Sequence, residues 1–187
     1  MKGTDDKADE ALKRGAVPKS GEKAARMLQK LKTDVCTCGG KMGAEAAEKA
    51  GVYHTVVYEP AKTTTREDTV RAAEIMEELV DLLVFCGGDG TARDVSSAGI
   101  PILGIPAGVK MYSACFAVTP ESAAETVELF LNKRIETAPC EILDIDEDLY
   151  RSGILSVKLY GYAKVPQHVN VQHSKQVSRP PDVLDVL

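Results

Sequence analysis

The sequence predicts an α/β fold: an open, mostly parallel sheet with helices on its faces, followed by the start of a β-rich second domain. Three observations carry this reading. β-prone runs alternate with segments of helical period four times between residues 20 and 131, the pattern of a parallel sheet with right-handed crossovers. The run 80–86 is nearly all apolar, as in a strand covered on both faces. After about residue 137 the alternation stops, and two extended segments follow, joined by a short turn. The division so predicted is 1–137 for the α/β unit and 138–187 for part of a second domain and a tail.

Each element has its own signal. Ala24, Met27, Leu28 and Leu31 fall at helical spacing behind Ser20 as N-cap, giving a helix over 20–32. Residues 33–38 form a short β-prone run ending at Gly39-Gly40. An alanine-rich helix then runs from Gly43 to a stop at Gly51. "YHTVVY", 53–58, is a strand halted by Pro60. Thr64 and Glu67 make a capping box for the next helix, with Val70, Ala73, Met76 and Leu79 on its buried face. "ILGI", 102–105, is the fourth strand. Thr119-Pro120 opens a helix that buries Ala123, Ala124, Val127, Phe130 and Leu131. "CEILDIDED" and "GILSVKLYGYAKV" then pair as antiparallel strands around a turn at Asp146, Glu147 and Asp148. From Pro166 onward the chain reads as a loosely held tail.

Composition narrows the function. The 187 residues are 44% apolar, enough for a folded core, and the net charge of −5 with a pI near 5.3 argues against binding to nucleic acid or to an anionic membrane. No run approaches the length of a membrane helix and the first residues lack a signal-peptide core, so a cytoplasmic protein is expected. Five cysteines without a paired framework suit a reducing compartment, and the spacing of Cys36 and Cys38 is neither a redox nor a zinc motif. They read as ordinary buried thiols. His168 and His173 lack a third ligand nearby and read as solvated side chains.

The chemistry gathers where strands run out. "VDLLVFCGGDGT", 80–91, ends a buried strand in three glycines around one carboxylate, and ligands of open α/β sheets sit beyond the carboxyl ends of strands. Bare glycine backbone approaches a phosphate closely and offers it N–H groups. Asp89 is the anomaly there, because a carboxylate repels phosphate unless it takes a proton, binds Mg²⁺ or accepts a hydroxyl's hydrogen bond. The alternative is plain turn chemistry, with Asp89 capping a helix that begins near Thr91. Three further strand ends, "CGGKMG", "PAKTTT" and "GIPAGVKMYS", carry comparable equipment. Lys41, Lys62, Arg93 and above all Lys110 supply candidate local positive charge.

"GGDGT" resembles the motif of the ATP-NAD kinase family, whose superfamily includes diacylglycerol kinases and 6-phosphofructokinases. With "TTTREDT" at 63–69, "GGDGTARDV" at 87–95, "GIPAGVKMYSACFAVTP" at 104–120 and "EILDIDED" at 141–148, the chain is similar to the archaeal and bacterial branch related to acetoin catabolism protein X. The resemblance implies a nucleotide-binding α/β domain and a β-rich partner domain. It implies phosphoryl transfer from ATP or polyphosphate, with Mg²⁺ carried on the donor, to the 2'-hydroxyl of NAD. Asp89 would be the base. Gly87, Gly88, Gly90, Thr91, Thr64, Thr65, Asp68, Gly108 and Lys110 would bind the nucleotides, with no resident metal ligand. The family's opening Asn-Pro-x-x-Gly-x-Gly-Gly turn and its Asn-Glu pair have no counterpart here, as Asn132 and Asn170 precede lysine and valine. Two other readings therefore stand beside the first: a non-catalytic nucleotide-binding protein of this fold, and a kinase of another small hydroxylated or lipid-like acceptor. For a truncated chain, exposed sheet edges and an unfinished second domain would predict a homo-oligomer or strand exchange.

Overall fold

The computed structural model describes residues 19–107, 111–146, 149 and 152–172. Among them, helices and strands alternate as the sequence predicts: α1 (Ser20–Leu28), β1 (Val35–Cys38), α2 (Ala44–Ala50), β2 (His54–Tyr58), α3 (Arg66–Glu77), β3 (Leu83–Gly87), α4 (Asp89–Val95), β4 (Ile102–Pro106) and α5 (Pro120–Leu131). A hairpin of β5 (Thr137–Ile145) and β6 (Val157–Pro166) follows.

The sheet is smaller than a continuous four-stranded one. β1 pairs with β2 and β3 with β4, both in parallel, as two separate two-stranded pieces among the described residues. β5 and β6 are antiparallel, from Thr137 opposite Pro166 to Ile145 opposite Val157. Residues 114–117 extend the β3–β4 piece: Gly104 N donates to Cys115 O at 2.7 Å, and Ala117 N donates to Gly104 O at 2.9 Å. On one side, α1 packs with α2 and α5; α3 and α4 pack together, and β5 lies against α4. All five residues of β4 are buried, which explains its unbroken apolar run, and Met27, Ile102, Leu103, Phe116, Ile142 and Val165 form the centre of the core.

Several element ends differ from expectation. Ser20 is the first helical residue of α1 rather than its cap, and the helix stops at Leu28 because i→i−3 bonds tighten its end, from Lys30 N to Met27 O and from Leu31 N to Leu28 O. Gly51 closes α2 in the left-handed region at φ 69°, where a side chain is strained. The box on α3 lies one residue later than Thr64 and Glu67: Thr65 N donates to Asp68 Oδ2 at 2.7 Å. α3 ends at Glu77, so Leu79 lies past it and is exposed; Leu131, at the last position of α5, is exposed as well. Thr119 caps α5 as predicted, its hydroxyl accepting from Ser122 N at 3.1 Å. β3 begins at Leu83, three residues after the predicted start.

Two readings of the C-terminal part also change. His168 is not a solvated histidine, since its Nδ1 lies 3.2 Å from the Thr126 hydroxyl on α5; His173 is outside the described residues. The chain after Pro166 is pinned at first, because Gln172 N donates to Phe116 O at 2.7 Å and Val171 bridges Ala117. No helix among the described residues is long and apolar enough to cross a membrane.

The cysteines are free thiols. Burial, reinforced by Glu59, pushes Cys38 up to about 11, and burial partly offset by Lys23 does the same to Cys86, each from 9.0. A raised value means that folding favours the protonated thiol. The associated stability is therefore full below pH 9 and is lost as pH rises toward 11. The thermal midpoint is expected to fall across that window, and less steeply in a Cys38→Ser/Cys86→Ser variant; equal slopes would contradict it.

Candidate functional site

β3 delivers its last residue, Gly87, to the carboxyl edge of the sheet, opposite Pro106 of β4, and Gly87 O accepts from Ala107 N at 2.9 Å. The three glycines that follow the apolar run are not equivalent. A Cβ on Gly87 would lie 2.7 Å from the Thr91 Cβ, so this glycine is required for Thr91 to fold back onto the strand end. Gly88 stands at the N-cap of α4 in an extended conformation, and among the described residues a Cβ there would meet nothing within 4 Å. At Gly90 the nearest atom to such a Cβ is Asp144 Oδ2, at 3.8 Å. Among the described residues, the side-chain direction is therefore open at Gly88 and nearly so at Gly90, both half-buried.

Asp89 is the first residue of α4 and is 1% exposed. Its carboxylate turns toward the segment after β4: Oδ1 accepts from Tyr112 N at 3.1 Å and Ser113 N at 2.9 Å, and Oδ2 accepts from Tyr112 N at 3.0 Å. The connection continues. The Ser113 hydroxyl donates to Leu143 O at 2.8 Å and accepts from Leu143 N at 3.0 Å, fastening this segment to β5. One buried acid thus joins the glycine turn, the 112–113 backbone and the hairpin.

The hairpin adds a second carboxylate. Asp144, buried on β5, lies 3.5 Å from Arg93 Nη1, and the Arg93 guanidinium stands over the Tyr160 ring of β6 at 5.1 Å from its centroid. Burial works against the charge on Arg93, yet the Tyr160 hydroxyl, Asp94 and Asp144 outweigh it and raise its pKa. Arg93 is therefore a permanent cation already engaged by two acids, not a spare charge.

The residues expected after β2 have other occupations. Asp68 takes the Tyr58 hydroxyl at 2.7 Å and the Thr65 amide, and these bonds, the first foremost, hold its carboxyl below the ordinary range. Thr65 and Asp68 thereby start α3, while Thr64 is exposed. Arg66 Nε reaches Asp94 Oδ1 at 2.7 Å, which sets this helix start beside α4. Gly108 and Lys110 lie outside the described residues. Lys41 and Lys62 are exposed.

Two residues at this edge escaped the sequence reading. Asp144 stands in the sequence within the stretch "EILDIDED" with no role of its own, and nothing in its spacing marks it as a neighbour of Gly90. Lys23, in the first turn of α1, donates from Nζ to Pro106 O at 2.6 Å. A signal for it existed: in an α/β alternation, the first turn of a helix lies near the carboxyl edge of the strands. Among the described residues, no group of three or more His, Cys, Asp or Glu side chains is placed to hold a metal.

The strand thus ends in Gly-Gly-Asp-Gly-Thr, with Gly87 and Asp89 buried and Gly88 and Gly90 half-buried, beside the start of α4 and a proline-ended neighbour strand. No curated protein sequence and no solved structure matches the chain. The ATP-NAD kinase N-terminal domain family matches residues 13–135, which is more than half of the chain and takes in every element from α1 to α5. With that match over the strand ends just described, the chain belongs to the ATP-NAD kinase family.

Proposed function

We propose that this chain transfers a phosphoryl group from ATP or polyphosphate to the 2'-hydroxyl of NAD at the carboxyl edge of β3 and β4. The observation that carries the reading is the open backbone at Gly88 and Gly90 on either side of Asp89, in a chain of this family. Phosphoryl transfer asks little covalent chemistry of a protein: it asks for positioning and for neutralisation of phosphate charge. Gly88 lets phosphate oxygens reach the backbone, and Mg²⁺ arrives as part of the donor complex. Asp89 acts as the base when the ribose hydroxyl takes the place of one of its partners. A base of this kind contributes roughly 10²- to 10⁴-fold.

The covered carboxylate favours a second reading in which Asp89 is a strut and the protein binds nucleotides without turnover. Incubation with Mg²⁺, ATP or polyphosphate, and NAD, followed by enzymatic assay of NADP, separates the two. Product supports the kinase; nucleotide-dependent thermal stabilisation without product supports the binder.

Gly88→Ala tests the open backbone. Alanine restricts the unfolded chain but is a poorer cap, and these opposed effects leave the thermal midpoint nearly unchanged. The KM for one nucleotide is expected to rise about tenfold, roughly 1.4 kcal/mol of lost contact. An unchanged KM for both would exclude ligand approach at this backbone.

A further inference from the structure

We propose that Arg93 is the residue that positions the Asp89 carboxylate, by clasping the β5–β6 hairpin to α4. Its effect on turnover rests on the kinase reading, whereas the clasp rests on contacts in the structure. Asp89 and Arg93 stand four residues apart on α4, about one helical turn, and so share a face of it. A second route leads from Asp89 to the same arginine. The carboxylate accepts from the Tyr112 and Ser113 amides, and the Ser113 hydroxyl bonds both backbone groups of Leu143. The next residue, Asp144, places Oδ2 3.5 Å from Arg93 Nη1, which closes a ring of contacts around the acid.

The ring joins two parts of the chain. Asp89, Arg93 and 112–113 lie within the residues that match the family, 13–135, and Leu143, Asp144 and Tyr160 lie beyond them. Arg93 reaches Asp144 on β5 and stands over the Tyr160 ring on β6, 5.1 Å from its centroid. Its own footing is held as well: Asp94 lies 3.6 Å from Arg93 Nε and accepts from Arg66 Nε of α3 at 2.7 Å. Solvent screening separates this contact from the surface pairs. In Arg26–Glu121, Lys49–Glu22 and Arg71–Glu74 every side chain is at least 44% exposed, and such pairs contribute little. Arg93 and Asp144 are 27% and 9% exposed, so their attraction is far less screened and removing one partner is felt by the other. Without Arg93, the strand that anchors Ser113 loses its charged hold on α4, and the amides that aim Asp89 gain freedom to shift.

Arg93→Met keeps most of the stem and removes the charge and its fork; Arg93→Lys restores the charge. In Arg93→Met the kcat for NADP formation is expected to fall about tenfold, with both substrate KM values within about twofold, and to recover in part in Arg93→Lys. Asp144→Asn is expected to lose a similar factor, and the double variant no more than either single one, since both break the same contact. An unchanged kcat in Arg93→Met, a loss carried by KM instead, or losses that multiply in the double variant would overturn the proposal. Amide hydrogen exchange supplies a readout that needs no turnover. The Tyr112 and Ser113 amides are expected to exchange at least about tenfold faster in Arg93→Met, while the Gly39 amide, bonded to Tyr58 O at 2.8 Å beside β1 and β2, keeps its rate. Equal acceleration at all three would reduce Arg93 to a general contributor to stability, and unaltered rates at 112–113 would remove it from the ring; either result overturns the proposal. If the parent chain makes no NADP, the kinase reading fails on its own, and exchange alone decides whether Arg93 positions Asp89.

Discussion

Asp89→Asn is expected to lower both NADP formation and stability, and the size of each loss assigns the residue its role. If Asp89 is the base, turnover drops by roughly 10²- to 10⁴-fold at saturating substrate, because the amide cannot accept the ribose proton. Stability suffers in either case. The carboxylate accepts from the amides of Tyr112 and Ser113 at 2.9–3.1 Å within a site that is 1% exposed. Asparagine offers one acceptor oxygen and turns an NH₂ toward donors, so about 2–4 kcal/mol is at stake. Alanine separates the two roles further, since it deletes the strut outright. Thermal midpoints and single-turnover rates of both variants, measured together, decide the matter. Turnover within a few fold of the parent in a folded Asp89→Asn protein would end the base assignment. A lost rate without a lowered midpoint would instead end the strut.

Gly104→Ala has the second large effect, and on stability alone. Gly104 lies mid-strand in β4, where an added Cβ would stand 2.6 Å from Phe116 Cε1 and 2.9 Å from Phe85 Cζ. Neither ring can retreat easily. Phe116 is fully buried, and the two rings meet edge to face with centroids 5.5 Å apart at 70°. Gly104 also carries the backbone bonds that attach residues 115–117 to β4. Overpacking of this kind costs about 1–3 kcal/mol, and more where the backbone must shift; at the low end the midpoint falls by roughly 2–4 °C per kcal/mol for a chain of this size. Phe116→Leu in the same background is expected to recover part of the loss relative to Phe116→Leu alone. An additive double mutant would show that the clash is not with that ring.

What could be read from the residues alone follows the range of the forces involved. The order of helices and strands, the cap at Thr119 and the antiparallel pairing of the last two strands rest on local pattern and stand in the structure, although the link between those strands runs over 146–156 rather than a short turn and β6 starts at Val157 rather than near Gly153. Helix ends were less legible. Thr64-Thr65 presents two neighbouring candidates for one cap, and only the reach of Asp68 to Tyr58 selects the second. At the site, the glycine turn was legible because glycine records a backbone demand in the sequence itself. The direction of the Asp89 carboxylate was not, since it depends on amides more than twenty positions away. For the same reason Arg93, expected as a free cation, is found between Asp94 and Asp144. Asp144 approaches Gly90 through the tertiary course of β5, and no periodicity encodes that approach.

The tie from Asp89 through Ser113 to Leu143 has a consequence for how the chain matures as it is synthesised. In the growing chain the glycine turn is made before β4, which pairs with its strand, and before anything that shelters its acid. Shelter comes with 112–113, and its anchor only with Leu143, so the corner is completed by long-range closure over more than fifty residues.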